Sequence, residues 1–482
     1  MDKKRALYYI HNPKSKTSTY EARKKLKYEE LFMFMLKMNY LKEGKGSIGL
    51  QRKVDYQKVE AAMKNLPFEL TKDQKKSVKD IYDDLTNKTR MNRLLQGDVG
   101  SGKTAVAFIA LYINYLSGYQ GALMVPTEIL AHQHYQNIIK LFPNLKVGLL
   151  TGKLKAKERK ELLKDIKEGN IDVIIGTHAL ISDDVIYNNL GLVITDEQHR
   201  FGVNQRGNLK NKGIMADILY MSATPIPRTL SLTIFGDMDV STIKERPKGR
   251  QKIETFVKKN SEIKDVLEMM YKELKNGHQV YVIAPLIEES ENSDLTTVNE
   301  LKEQMKLAFK DLYKIDIVHG KMASGAKDII MEQFKKNEVQ ILISTTVVEV
   351  GVDVPNATTM VIFDADRFGL STLHQLRGRV GRGTSKSQCI LISDSDTERL
   401  KIMEREDDGF VISEEDFKLR GHGDLFGTKQ SGDMSFKIAS VRNDYKILLQ
   451  ARKDSKEYLL NKETDNDELK KRLIHSISIK ES

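Results

Sequence analysis

The segment Gly97-Asp98-Val99-Gly100-Ser101-Gly102-Lys103-Thr104 constrains this chain more than any other feature. It follows the pattern G-x-x-x-x-G-K-[ST], comes directly after a short strand (Arg93–Gln96) and opens an apolar helix (Ala105–Tyr115). Strand, glycine loop and helix in that order form a cradle for phosphate. The glycines let backbone N–H groups turn inward, and the helix N-terminus adds the positive end of its dipole. Lys103 is the expected partner of the β- and γ-phosphates, and Thr104 the expected hydroxyl ligand of Mg²⁺. Such a loop works at the edge of an open, mostly parallel sheet, so the rest of the chain must supply one.

It does so twice. Leu94-Leu95, Ala122–Val125, Val147–Leu150, Val173–Ile175, Leu192–Ile194 and Ile218–Met221 are apolar runs separated by helical stretches. A second series follows at Val280–Ala284, Ile315–Val318, Val339–Ile343, Met360–Phe363 and Cys389–Ile392. Continuous apolar strands alternating with helices predict parallel sheets covered on both faces. Glu245–Arg250 (ERPKGR) lies between the series as a hinge. The organisation read from this is a helical connector at 1–60, an α/β domain at 61–245, a second at 246–400, and a mostly helical C-terminal segment at 401–482. A chain of 482 residues has room for that many domains.

Composition removes other classes. Cys389 is the single cysteine, which excludes an internal disulfide framework and a cysteine-based zinc site. The apolar stretch Ala105–Ile113 is far shorter than the ~18–20 residues of a membrane span, and the N-terminal sequence lacks a signal-peptide core. The net charge is +11, and residues 1–60 hold much of the excess, 15 Lys/Arg against 7 Asp/Glu. A basic surface suits a polyanion. Within that stretch Tyr20–Lys42 places Leu26, Leu31, Phe32, Phe34, Met35 and Met38 at helical spacing. Such a helix either packs on the neighbouring domain or serves as a basic strut beside nucleic acid.

Two further groups complete a nucleotide site. Asp196-Glu197 closes the strand Leu192–Ile194, where Asp196 can hold Mg²⁺ and Glu197 can orient and deprotonate an attacking water. His199, three residues on, is placed to sense the γ-phosphate. In the second series a helix is predicted over Ser371–Val380. It carries Gln375 and Arg379, with Arg382 three residues beyond Arg379 on the same face; two such arginines suit a transferring phosphoryl group. The set describes a nucleoside triphosphatase without saying what hydrolysis drives.

The ordered series LLQGDVGSGKT, VPTEILA, VIIGTHAL, ITDEQHRFGVNQR, MSATPIPRT, VEVGVDVPNAT and HQLRGRVGRG resembles the motifs of superfamily 2 helicases, and most specifically the RecG family of bacterial DNA helicases. GFVISEEDFKLRGHGDLFGTKQSG (409–432) is similar to the translocation motif that this family shares with transcription-repair coupling factors. The resemblance runs from about residue 5 to 455. It implies two tandem RecA-like doubly wound motor domains, a helical connector before them and a helical translocation segment after them. It implies ATP and Mg²⁺ as cofactors. Phe68 and Gln74 are then adenine-reading residues. The loop Gly97, Asp98, Val99, Gly100, Ser101, Gly102, Lys103 and Thr104, with Gly351 and Asp353, holds the nucleotide. Gln375, Arg379 and Arg382 complete the site. Pro126, Thr127, Gly176, Thr177 and Glu349 contact DNA, His199, Ser222 and Thr224 couple the γ-phosphate to domain closure, and Arg420 and Gln430 lever the DNA.

Full-length members carry an N-terminal wedge barrel, whereas this sequence starts at what resembles the connector after it. His422 and Phe426 depart from the family's translocation motif. The expected activity is ATP-dependent DNA translocation that remodels stalled forks and branch-migrates Holliday junctions. The implied partners are branched double-stranded DNA and single-stranded DNA-binding protein, with a monomeric, cytoplasmic protein and no membrane. The rival is a wedge-less, DNA-stimulated ATPase that binds DNA without productive fork remodelling. A polymerase-moving motor of the coupling-factor kind fits less well, because the DEQH sequence leans to RecG.

Overall fold

The structure, a computed structural model, describes residues 1–44, 48–152, 154–196, 216–225, 238–247, 252–284, 293–320, 322–345, 353–419, 436–440, 443–461 and 468. The chain divides into two compact units. One, Gly49–Pro225 with Ser241–Leu419, holds both sheets. The other is Met1–Ile48 with Ile226–Val240 and Arg420–Ser482.

The first sheet contains β1 (Asn92–Gly97), β2 (Gln120–Met124), β3 (Val147–Leu150), β4 (Val173–Gly176), β5 (Leu190–Thr195), β6 (Asp217–Ser222) and β7 (Asp239–Ile243). Their order is β3-β4-β2-β5-β6-β1-β7. The pairs β1–β6, β5–β6, β2–β5, β2–β4 and β3–β4 are parallel. Parallel strands need crossovers, supplied here by α5 (Lys103–Leu116), α6 (Glu128–Leu141) and α7 (Ala156–Glu168). Helices α3 (Tyr56–Lys64) and α4 (Lys72–Thr86) precede the sheet. Every residue of β2, β4 and β5 is buried, which is why these strands read as unbroken apolar runs. Helix α5 buries Val106, Phe108, Ile109, Leu111 and Ile113, each contributing about 1.5–3 kcal/mol of apolar burial.

The second sheet contains β8 (Ile253–Lys258), β9 (Gln279–Ile283), β10 (Ile315–Val318), β11 (Ile341–Ser344), β12 (Ala357–Ile362) and β13 (Ser387–Ile392), ordered β10-β11-β9-β12-β13-β8 and parallel throughout. Helices α8 (Ile263–Lys275), α9 (Ser293–Phe309), α10 (Ser324–Lys335) and α11 (Leu370–Arg377) alternate with its strands. After β13 come α12 (Glu398–Arg405) and α13 (Gly409–Leu419). Two tandem parallel-sheet α/β domains are therefore present, as expected. The sequence reading missed β7 and β8, the edge strands on either side of the ERPKGR stretch. Their residues are mostly only partly buried, so no continuous apolar run marks them.

One buried network ties the chain before the first sheet into its core. The Arg52 guanidinium donates to Asn114 Oδ1 of α5 (2.8 Å from Nη2), to the Gly191 carbonyl of β5 (2.6 Å) and to the Asp217 carboxylate at the start of β6. Asp217 also accepts the Met91 N–H at 2.5 Å.

In the other unit, α1 (Lys3–His11) is followed by α2 (Lys16–Gly44), longer than the predicted Tyr20–Lys42. The apolar partner of α2 is α14 (Tyr445–Leu460). Leu31 and Met35 bury against Leu448 and Ala451. Lys27 pairs with Asp444 at 2.8 Å, and Tyr28 donates to Asp454 at 2.6 Å. The Glu30 carboxylate accepts the backbone N–H groups of Lys437, Ile438 and Ala439.

Candidate nucleotide site at the sheet edge

Because the strands of the first sheet run parallel, their C-terminal ends share one edge. β1 ends at Gly97, β2 precedes Pro126-Thr127, β4 ends at Gly176 before Thr177, β5 runs into Asp196, and β6 ends at Ser222. Register fixes the neighbours: Met124 lies beside Gly176 and Thr195, and Gln96 beside Ser222. Open α/β sheets bind ligands at this edge. Glu197, His199, Glu349, Gly351, Arg420 and Gln430 lie outside the described residues.

Gly100 and Gly102 take left-handed backbone (φ 73° and 83°), which only glycine adopts freely. Lys103 is buried, and its ammonium donates to the carbonyls of Gly97 (2.8 Å) and Asp98 (2.9 Å). The Ser101 hydroxyl is buried with no hydrogen-bond partner among the described residues. A buried cation and an unsatisfied hydroxyl in a glycine cradle fit a nucleotide phosphate with its Mg²⁺. No group of three His, Cys, Asp or Glu forms a metal site of its own among the described residues. Magnesium suits that scarcity, since one or two carboxylates and phosphate oxygens suffice for it.

Gln74 sits against the loop. Thr71 and Gln74 form a capping box at the start of α4, with Thr71 N–H donating to Gln74 Oε1 at 2.8 Å. Gln74 Nε2 donates to the Ser101 carbonyl at 2.8 Å. Both ends of the carboxamide are thus engaged by protein, and each bond leaves one N–H of Nε2 and one lone pair of Oε1 for a base. Phe68 is 45% exposed and lines an open surface depression with Met63, Leu66 and Leu70. Thr127 caps α6 through its hydroxyl. Gly176 is needed for close approach, because a Cβ there would lie 2.2 Å from the Leu150 carbonyl. The Ser222 hydroxyl bonds within its own turn, to Thr224.

The second sheet's segment differs from expectation. Helix α11 stops at Arg377, so Arg379 and Arg382 do not share a helical face. Gly381 turns to φ 73°, and Gly378 packs so tightly on Val99 of the loop that a Cβ would lie 2.9 Å from that side chain. Gly378 caps the end of the helix, short of the predicted Val380. Arg379 is buried, and Arg382 bonds the Gly378 carbonyl and pairs with Asp353 at 3.5 Å.

The sequence reading assigned no role to His374, Arg377, Arg246 or Gly409, yet these surround Asp98. His374 Nε2 lies 2.5 Å from Asp98 Oδ1, and its Nδ1 faces Arg377 Nη2 at 3.0 Å. Arginine only donates, so Nδ1 accepts and Nε2 carries the proton donated to Asp98. Arg377 also donates to the carbonyls of Met403 and Glu406 at the end of α12. Burial pushes its pKa below the usual arginine value. Arg246 approaches Asp98 at 3.8 Å and pairs with Asp407 at 3.0 Å. Burial opposes ionisation of Asp407, but Arg246 outweighs it and holds that carboxyl below its usual range. Helix α13 closes the group: Gly409 lies against His374 and Asp98, Asp416 accepts from Ser371, and Ser413 donates to the Pro225 carbonyl. The one available signal was an acidic residue inside a phosphate loop, which needs a neutralising partner.

Three family models match in order: DEAD/DEAH box helicase over 71–233, helicase conserved C-terminal domain over 258–384, and ATP-dependent DNA helicase RecG, domain 3, C-terminal, over 406–479. The ATP-dependent DNA helicase RecG of Bacillus subtilis is 52% identical over 458 residues, 93% of this chain and 67% of that protein. The chain belongs to the RecG family. The RecG of Staphylococcus aureus is 51% identical over the same shares. A solved structure of RecG bound to a three-way DNA junction matches with a TM-score of 0.75 and 42% identity. It covers 92% of this chain, which spans 59% of that longer RecG chain. RecG membership gives the two sheets their identity as RecA-like motor domains. No described helix is long and apolar enough to cross a membrane.

Proposed function

We propose that this chain is an ATP-driven motor that moves on double-stranded DNA, remodels stalled forks and branch-migrates Holliday junctions. The observation that carries the reading is the seating of Gly378 and His374, from the second sheet's domain, directly on the phosphate loop of the first. A site built from both domains lets nucleotide chemistry alter how they close, which is what a motor requires.

In this mechanism Lys103 releases the Gly97 and Asp98 carbonyls and takes the phosphates. Thr104 and Asp196 would hold Mg²⁺, which would supply charge neutralisation for the phosphates. Glu197 orients and deprotonates the water. Gln375, Arg379 and Arg382, with Gly351 and Asp353, complete the charge-stabilising shell, and Phe68 and Gln74 receive the adenine. Pro126, Thr127, Gly176, Thr177 and Glu349 grip DNA phosphates without reading bases. Ser222, Thr224 and His199 couple the γ-phosphate to closure, and Arg420 and Gln430 transmit it to the duplex. The division into connector 1–60, domains 61–245 and 246–400 and translocation segment 401–482 belongs to the same reading. So do a monomer in the bacterial cytoplasm, branched DNA as substrate, and single-stranded DNA-binding protein as a further partner.

The test is ATP hydrolysis with and without a three-way DNA junction, alongside fork regression on the same substrate. Junction-stimulated hydrolysis is expected, with a Lys103→Ala loss of about 10²–10³-fold or more. A Lys103→Ala protein hydrolysing ATP at the normal rate overturns the site. Strong hydrolysis without any regression product favours the rival, a DNA-stimulated ATPase that does not remodel forks.

A further inference from the structure

Helix α6 turns one face to the core, with Leu130, Ala131, His134 and Ile138 buried. Three of these are apolar, as a packed face should be. His134 is the exception. Its side chain is 7% exposed, and neither ring nitrogen has a hydrogen-bond partner among the described residues. A buried polar group left unsatisfied is destabilising, because it gives up its hydrogen bonds to water for nothing. A leucine would fill the same space without that cost.

The direction of the ring shows what the cost serves. The imidazole stands edge-on to Phe108 of α5, with ring centres 5.8 Å apart and planes at 89°. Its Nε2 points to Asp196 Oδ2, 3.8 Å away. That is too long for a hydrogen bond and short enough to become one through a small turn of the carboxylate. The packing against Phe108 fixes the ring on the helix that follows the phosphate loop. Residues that orient a metal-bound carboxylate from behind tune the metal's affinity.

We propose that His134 is a positioning residue for Asp196: when Mg²⁺ and nucleotide occupy the loop, Nε2–H closes onto Asp196 Oδ2 and holds the other carboxylate oxygen toward the metal. The inference rests on the reading of Asp196 as a Mg²⁺ ligand. His134 touches neither substrate nor metal, and it acts through Asp196.

The experiment is titration of Mg²⁺ against binding of a fluorescent ADP analogue to the full chain, without hydrolysis. It compares wild type with Asp196→Asn, His134→Phe, His134→Met, His134→Gln and His134→Asn. His134→Phe and His134→Met keep the apolar packing and remove the donor. Each is expected to raise half-saturating Mg²⁺ about 10–100-fold, while nucleotide affinity at saturating Mg²⁺ stays within a factor of two or three. His134→Gln presents an N–H near the position of Nε2 and is expected to restore most of the loss. His134→Asn, whose amide falls short, is not. His134→Phe added to Asp196→Asn should have no further effect. If Asp196→Asn leaves the Mg²⁺ dependence unchanged, the reading of Asp196 itself fails. If Asp196→Asn shifts it and the folded His134→Phe or His134→Met protein does not, the positioning role is overturned. Equal behaviour of the Gln and Asn variants overturns it as well, because packing alone would then explain the residue.

Discussion

Replacing Arg52 by methionine tests the network that anchors the start of the motor unit. The Arg52 side chain is fully buried and that of Asp217 is 2% exposed. Removal leaves the Asp217 carboxylate buried without the cation that hydrogen-bonds it, with the charge of Arg90 remaining, and takes a donor from Asn114 Oδ1 and the Gly191 carbonyl. Breaking a buried pair from one side costs about 3–5 kcal/mol. A loss near 4 kcal/mol is roughly a thousandfold in the folding equilibrium. In a domain of this size it lowers Tm by about 8–16 °C. The sign of the pH dependence follows from Asp217. Burial raises its pKa above the usual 3.8 and Arg52 opposes the rise. Without Arg52 the folded-state value climbs further. A carboxyl raised in the folded state contributes stability below its unfolded pKa and loses it as pH rises through the folded one. The deficit of Arg52→Met relative to wild type is therefore expected to be larger at pH 8 than at pH 5. Adding Asp217→Asn should recover part of it at pH 8 and flatten the dependence. Urea unfolding of the full chain, read by pulse proteolysis at both pH values, measures this. A deficit under 1 kcal/mol, or one equal at the two pH values, would refute the reasoning.

Gly409→Ala puts a methyl group within 2.6 Å of His374 Nε2 and 2.8 Å of Asp98 Oδ1. Overpacking costs about 1–3 kcal/mol, so the KM for ATP should rise at least fivefold, with DNA affinity in the absence of nucleotide unchanged. Steady-state kinetics with a DNA-binding titration separates the two, and an unchanged KM contradicts the packing described. Burial pushes the Cys389 thiol up to about 12 and leaves it no exposed surface. Ellman's reagent at pH 8 should leave it unmodified in the native protein and label it fully in urea; stoichiometric labelling within minutes of the native chain would show the second core to be open.

Much of the fold was legible because parallel strands covered on both faces become apolar runs, and a phosphate loop declares its strand and helix. What stayed hidden had physical reasons. β7 and β8 are edge strands, DVSTI and IETFVK, without a continuous apolar run. The end of α11 stayed hidden because Gly381 turns the chain left-handed and Gly378 meets Val99 only in the folded molecule. The His374–Asp98 contact joins residues 276 positions apart, and no local pattern encodes such a pairing. The apolar face of α2 announced that it would be buried but not by what. Its partner α14 is a further 400 residues along the chain.

That last distance sets an order of events during synthesis. The Lys27–Asp444 pair spans 417 residues. At about 5–20 residues per second, α2 leaves the ribosome roughly 20–80 s before its partner exists. Both α/β domains can collapse in that interval, since their strands pair within their own stretches of chain. α2 meanwhile waits with Leu31 and Met35 uncovered, a target for holding chaperones and for proteases. The unit it forms with α14 is the last part of the molecule to be finished, and a ribosome that stalls before Tyr445 would release a chain whose motor domains are folded but whose first long helix has nothing to close on.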